Sequence, residues 1–171
     1  DEGQGRIAFD YSNEQNHGRI NGAIWTQGIA QTALSFDGND GVNCGGDESL
    51  TMTEQVTLTA WIKPSSNYHG VIAGNEGQYL LAVESDGTII YALKLTSPSW
   101  TWIRTECPVP LNFWTHLALR FSSAEQKIQL FKNGVLVYET SSVGTIGDAH
   151  PEFPDFMIGT RQGFPAESFK G

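Results

Sequence analysis

The sequence predicts an all-β, mainly antiparallel domain, and three observations predict it. Apolar and polar residues alternate in short runs that stop at Gly, Pro, Asn or Asp. Two pairs of runs are joined by Asp86-Gly87 and Asn133-Gly134, dipeptides that tolerate the positive φ angles of tight hairpin turns. No stretch sustains a helical period; the nearest is a short turn around Asp47 to Met52. Nineteen glycines and seven prolines, with many Thr, Val, Ile and aromatic residues, agree with strands and turns.

The elements follow in order. Thr32 to Phe36 alternates and ends at Asp37-Gly38-Asn39-Asp40-Gly41. Val56 to Lys63 places Val56, Leu58, Ala60 and Ile62 on one face and Thr57, Thr59, Trp61 and Lys63 on the other, and Pro64 closes it. Gln78 to Glu84 turns through Ser85-Asp86-Gly87 into Thr88 to Leu95, which Trp100 to Glu106 pairs across a Thr-Ser-Pro-Ser turn. Trp114 to Phe121 comes next, then the hairpin of Lys127 to Lys132 with Val135 to Thr140, and last Phe156 to Thr160. The 171 residues suit one well-cored domain and show no internal seam. Strand pattern alone leaves sandwich and barrel equally open.

Ten Lys plus Arg stand against nineteen Asp plus Glu, a formal charge of −9. That balance argues against nucleic acid and anionic membrane surfaces as partners, since phosphate binding needs clustered cations. It leaves carboxylates free for Ca²⁺. Cys44 and Cys107 read as two separate thiols rather than one long-loop disulfide, and neither C-x-x-C nor a His/Cys zinc spacing occurs. No apolar stretch approaches the ~20 residues that span a bilayer. Asp1 to Gly5 does not have the pattern of a signal peptide and reads as the interior of a longer protein.

Three stretches together resemble the bacterial laminin G-like domains of the concanavalin A-like lectin/glucanase superfamily. Asp10-Tyr11-Ser12-Asn13-Glu14-Gln15-Asn16-His17-Gly18 resembles that family's D-x-S-G-N-x-N-H-G loop, and Ala33-Leu34-Ser35-Phe36-Asp37-Gly38-Asn39-Asp40 its A-L-x-F-D-G-x-D-D segment. Thr57 to Pro64, Trp114 to Ala118 and Leu130 to Gly134 resemble its S-A-W-I/V-K-P, W-x-H-V-A and L-Y-V-N-G strands, in the same order. The resemblance covers nearly the whole chain and implies a two-sheet antiparallel jelly-roll sandwich over residues 1–171. It departs at Asn13-Glu14-Gln15 and at Gly41, where a second acidic residue is common. It also implies an apolar strand ahead of Asp1 and a closing strand after Gly171, so the chain is either trimmed, the simpler reading, or completes its sheet by strand exchange with another copy.

Hydrolases on this fold carry E-x-D-x-x-E or E-x-D-x-x-x-E on one strand, which puts nucleophile, helper and acid on one face. Glu84-Ser85-Asp86 lacks the second glutamate and falls on a turn; Glu152 to Asp155 has the wrong spacing and a proline. A glycoside hydrolase is therefore disfavoured, and a non-catalytic binding module is expected. Asp10, Asn13, Asn16, Asp37 and Asp40 are the candidate ligands of a structural Ca²⁺, since the resemblance implies that their loops meet at one end of the sandwich; Asx turns are the plain alternative. His17 and His116 read as structural, and His150 as part of a solvated loop with Asp148, Glu152 and Asp155.

The aromatic residues carry the binding reading. Trp61 and Trp114 lie in strand signatures and are assigned to the core, and Trp25 to an edge contact. Trp100 and Trp102 are two apart, so on a strand both rings face one side, with Arg104 next in line. Indole rings stack on the C–H faces of sugars and a guanidinium reads hydroxyls, so this cluster is the candidate carbohydrate platform. Tyr91 and Lys94 on the preceding strand, with Tyr68, His69 and Asn75 in a Gly-containing loop, complete it. The plain alternative is that both indoles are ordinary core. The expected partner is a glycan or polysaccharide, within a larger extracellular or cell-surface protein as the resemblance implies; a laminin G-like protein-interaction or adhesion domain is the alternative. Membrane insertion is not expected, and the sequence favours no particular oligomeric state.

Overall fold

A computed structural model describes residues 2–171. Fourteen strands are found among the described residues: β1 (Ile7–Ala8), β2 (Gly18–Asn21), β3 (Ile24–Gln27), β4 (Thr32–Ser35), β5 (Gly41–Asn43), β6 (Gln55–Ile62), β7 (Gly70–Asn75), β8 (Tyr79–Val83), β9 (Thr88–Leu93), β10 (Ile103–Pro108), β11 (Thr115–Ser122), β12 (Lys127–Lys132), β13 (Val135–Ser141) and β14 (Phe156–Ile158). The helical turn read at Asp47 to Met52 is a single 3-10 turn, Glu48–Leu50. Eight strands form one sheet in the order β1-β2-β5-β14-β7-β8-β9-β10, four form a second in the order β13-β12-β11-β6, and β3 and β4 make a separate hairpin. Every strand pair is antiparallel, as a jelly-roll sandwich requires.

The core lies between the two sheets. Leu117, Leu119 and Phe121 of β11 and Ile128 and Leu130 of β12 are fully buried and meet Tyr79, Leu81, Val83, Ile89, Tyr91 and Leu93 from β8 and β9. In the small sheet the period-two pattern of β6 and β11 sends the alternate residues outward. Trp61 is one of these and is 50 % exposed, which corrects its assignment to the core. Its face was already set by the alternation with Ile62, and its indole rests on His116 with ring centroids 5.2 Å apart. Trp114 is half-buried, and Trp25 packs over Ile20, Ala23 and Val42 while donating Nε1–H to the Gly5 carbonyl.

β8 and β9 behave differently: every residue of both strands is buried. Their second face, Leu80, Ala82, Ile90 and Ala92 with Val71 from β7, forms its own apolar layer on the outside of the large sheet. Such continuous apolar runs belong to strands covered on both sides. The cover over this layer is the candidate site.

The hairpins follow the turn chemistry. Asn133 and Gly134 take φ of 51° and 80°, the pair of positive values a two-residue turn needs. β7, read from sequence as part of a loop, is a strand whose bulge lies between Val71 and Ala73. Gly74 there has φ of 151°, and a Cβ on it would stand 2.1 Å from the Tyr79 carbonyl oxygen and 2.8 Å from Leu80 Cα. Asn75, placed in that loop by the sequence, ends β7, is buried, and donates Nδ2–H to the Pro154 carbonyl. Cys44 and Cys107 are both free thiols; Cys107 is in the core and burial pushes the Cys44 thiol up to about 11.

Because both close neighbours of that Cβ are backbone atoms of β8, Gly74→Ala should cost about 3 kcal/mol or more of unfolding free energy. Equilibrium denaturation with guanidinium measures it, and an unchanged midpoint would refute this account of Gly74.

Candidate functional site

The apolar outer layer of β7, β8 and β9 is roofed by Trp100 and Trp102. Both precede β10, which begins at Ile103, so the expected strand alternation does not place them. They reach one side all the same, because the apolar layer of Leu80, Ala82, Ile90 and Ala92 would otherwise face water and draws both indoles down onto it. Each ring is half-buried, with one part against the sheet and the other toward solvent. A cleft of about 270 Å³ opens between Trp100, Thr101, Trp102, Ala92 and Arg161.

Arg161 is the second structural member of the site, and the sequence reading did not name it. It lies in the loop that follows β14 and is 11 % exposed in its side chain. Its Nε and Nη2 donate to Oε2 and Oε1 of Glu76 at 2.6 and 2.8 Å, a bidentate fork, and its Nη1 donates to Glu167 Oε2 at 2.9 Å. The guanidinium carbon stands 5.5 Å from the centroid of Trp102 and 4.0 Å from that of Phe164. Burial works against the charge, and the hydrogen bonds to Glu76 and Glu167 outweigh it, so the Arg161 pKa lies above its ordinary value. Glu76 has no exposed side-chain surface, so its carboxylate depends on this fork for compensation.

The loop holding Arg161 is fastened to the sheet by its backbone. Phe169 N–H donates to Gly159 O and Gly159 N–H to Ile72 O, both at 2.8 Å. Ser168 forms a parallel bridge with Val71, and Pro165–Glu167 is a 3-10 turn. Tyr68 Oη donates to the Ala166 carbonyl at 2.9 Å. Two histidines frame the cleft. His69 meets Trp102 edge-on at 5.5 Å and stands between Glu167 (3.1 Å) and Glu84 (3.5 Å). His150 meets Trp100 at 6.4 Å and stands between Glu152 (3.2 Å) and Glu76 (3.9 Å), so it belongs to this wall and not to a detached solvated loop.

The structure thus gathers Trp100, Trp102 and His69, with Tyr68 as a tether of the neighbouring loop. It does not gather Tyr91, which points to the other face of β9 and is 0 % exposed in the core. Tyr91 packs in the core between the sheets and Trp102 on the outer layer, so the two lie on opposite sides of the large sheet. Arg104 shares the outer face but is already engaged: Nη2 donates to Asp86 Oδ2 at 2.5 Å and to Thr88 Oγ1 at 3.1 Å. Lys94 lies just past β9, where its N–H donates to the Gln78 carbonyl. Glu76 and Arg161 left little trace in the sequence. One sits on the Gly-flanked tip of a hairpin and the other in a loop between Gly159 and Gly163; nothing local says that they meet.

The candidate calcium ligands are tied into local hydrogen bonds. Asp10 accepts from Ser12 N–H, Ser12 Oγ and Asn16 N–H, and Asn16 Nδ2 donates to Ser49 Oγ. Asp37 accepts from Asn39 N–H, and Asp40 from Asp37 N–H. Asn13 is exposed. Each loop closes on itself, no hydrogen bond joins the two among the described residues, and no group of three or more His, Cys, Asp or Glu side chains gathers as metal ligands there.

A second cavity of about 360 Å³ lies where Leu34, Phe36, Ile62, Ile72, Trp114 and Phe169 meet. Its wall is mainly apolar, with Trp61, Thr32 and Lys63 also lining it.

Comparison with known proteins adds to this geometry. Residues 36–171 match the family model Laminin_G_3, described as the concanavalin A-like lectin/glucanases superfamily. No curated protein matches in sequence. Among solved structures, domain 4 of AbnA, a GH43 extracellular arabinanase from Geobacillus stearothermophilus in complex with arabinotriose, is similar at TM-score 0.64 and 17 % identity, over 88 % of this chain and 71 % of that one. The CBM40 of the Ruminococcus gnavus IT-sialidase, bound to α2,3 sialyllactose, is similar at TM-score 0.59 and 19 % identity, over 72 % and 74 %. The botulinum neurotoxin serotype G binding domain is similar at TM-score 0.67 and 12 % identity, over 94 % and 42 %. Likeness at these identities is a likeness of fold.

Three outcomes follow from the site. Arg161→Met should cost about 3–5 kcal/mol in denaturant unfolding because it strands the buried Glu76 carboxylate, and adding Glu76→Gln should recover part of the loss. Acid melts test Asp86, whose carboxyl is held at about 2, below its ordinary 3.8, first by the Thr88 N–H and then by Arg104. A depressed carboxylate stabilises the fold above its unfolded pKa and loses that contribution as pH falls through the folded one. Asp86→Asn should therefore melt earlier than the parent at neutral pH, and the two should converge toward pH about 2. Finally, a calcium chelator should leave the melting temperature unchanged; a clear fall would show a bound ion.

Proposed function

Because the chain belongs to the concanavalin A-like lectin/glucanases superfamily, we propose that it is a non-catalytic carbohydrate-binding module whose glycan lies across the cleft of Trp100, Trp102 and Arg161. The observation that carries this reading is the pair of half-buried indoles that line a cleft beside a fixed guanidinium. Aromatic rings supply a large rigid apolar contact at low entropy cost, and a few placed polar groups fix orientation. A cleft of about 270 Å³ suits one or two sugar rings rather than a long buried chain. Arabinotriose and sialyllactose, bound by two of the similar structures, are ligands of the same class.

Catalysis finds no support in the carboxylates. A glycosidase needs one carboxyl raised to act as acid beside an ionised partner. Glu84 is held below the usual range by the Ser85 N–H and His69, and Glu152 by its own N–H and His150. Glu76 and Glu167 are both bound to Arg161. An extracellular or cell-surface setting is part of the proposal, since that is where a module of this class meets polysaccharide. The adhesion reading rests on a different face: Trp61 at 50 % and Phe113 at 67 % exposure offer a protein partner apolar area.

Titration calorimetry with glycans from an array screen tests the proposal. Trp102→Ala should weaken binding at least about tenfold, roughly 1.4 kcal/mol, while Trp61→Ala should leave it unchanged. The reverse pattern would move the site to the small sheet.

A further inference from the structure

The charges around the cleft go further and, given that it binds glycan at all, narrow the class. Arg161, His69 and His150, the charged or titratable groups that meet the two indoles, belong to one ion-pair network. Arg161 is bonded to Glu76 and Glu167; His69 stands between Glu167 and Glu84; His150 stands between Glu76 and Glu152. Four carboxylates therefore face one guanidinium and two imidazoles, and the network stays anionic even with both imidazoles protonated. Arg104, on the same face, is cancelled by its own partner Asp86, and Glu106 and Glu84 act on it as well.

Arg161, which lines the cleft, is also poorly placed to receive an acidic group. Three of the N–H groups of Arg161 are engaged by carboxylates, including the fork that an incoming carboxylate would need on the Nε–Nη2 edge. Releasing that fork would leave Glu76 buried without compensation. The N–H groups left over suit the lone pair of a hydroxyl or ring oxygen. A half-buried, low-dielectric wall strengthens the repulsion of any like charge brought against it.

We infer that the cleft selects uncharged glycans and rejects those bearing carboxylate or sulfate. Arg161 then serves as a flat, hydrogen-bonding plate between Trp102 and Phe164 and not as an anion receptor. This inference rests on the glycan-binding reading of the same site, and the experiment separates the two.

The test is the Trp102-dependent signal: binding by the whole chain minus binding by Trp102→Ala, on an array of neutral glycans beside glycans carrying uronic acid, sialic acid or sulfate. Polygalacturonate and its methyl ester give one matched pair. If Trp102→Ala does not melt cooperatively, Trp100→Ala replaces it. The expected result is a Trp102-dependent signal on neutral glycans only, with the methyl ester held at least tenfold more tightly than the acid if either is bound. A Trp102-dependent signal on a carboxylated or sulfated glycan overturns the selectivity and leaves glycan binding standing. No Trp102-dependent signal on any glycan overturns both.

Discussion

The structure depends on one constraint: β8 and β9 are apolar on both faces, so both faces must be covered. The small sheet covers one with Leu117, Leu119, Phe121, Ile128 and Leu130. The other has no second sheet, and is closed by two indoles and a loop. A loop is a poor lid for apolar surface, because its own backbone carries polar groups that need partners. Here those partners are found in the sheet itself, through the Gly159–Ile72 and Val71–Ser168 contacts. The site is the by-product of that solution: side chains recruited to shield a sheet end up half in water, rigid and close together.

Rigidity has its own cost. Glu76 is wholly buried, and a buried ion pair seldom stabilises a fold more than well-packed apolar residues would. What the Glu76–Arg161 fork contributes is position. It ties the tip of the β7–β8 hairpin to the loop after β14 and sets the guanidinium plane between two rings. His69 and His150 then pack edge-on to Trp102 and Trp100 and are themselves held by carboxylates, so the indoles are braced from both sides. Preorganisation of this kind lowers the ordering cost of binding.

The all-β class and most strands were legible in the sequence because alternation and turn dipeptides are local signals. The jelly-roll assignment came from ordered motifs and is matched by the family model. Trp100 and Trp102 were expected to share a side through strand alternation; they are not on a strand, and they share a side because both pack on the apolar layer below them. Tyr91 shows the limit of neighbour reasoning, since pairing two strands does not say which side chains share a face until the register is known. Trp61 shows the reverse, for its own alternation had already put it outside and the motif argument overruled it. β7 was missed because its two glycines and its polar end at Asn75 hide a buried strand. Glu76, His150 and Arg161 were out of reach because their meaning lies in one another.

The Glu76–Arg161 contact joins residues 85 positions apart. A ribosome delivers the chain from the N-terminus, so Trp100 and Trp102 emerge long before the residues that will brace them. For that interval β8 and β9 have neither cover: β11 and β12 are unmade on one side, and the 159–169 loop is absent on the other. Contacts of such long reach form slowly, because chain closure is spent before it is rewarded. The growing chain therefore passes through a period in which its most apolar strands and the two indoles that pack on them are bare together, until the 159–169 loop arrives to brace them.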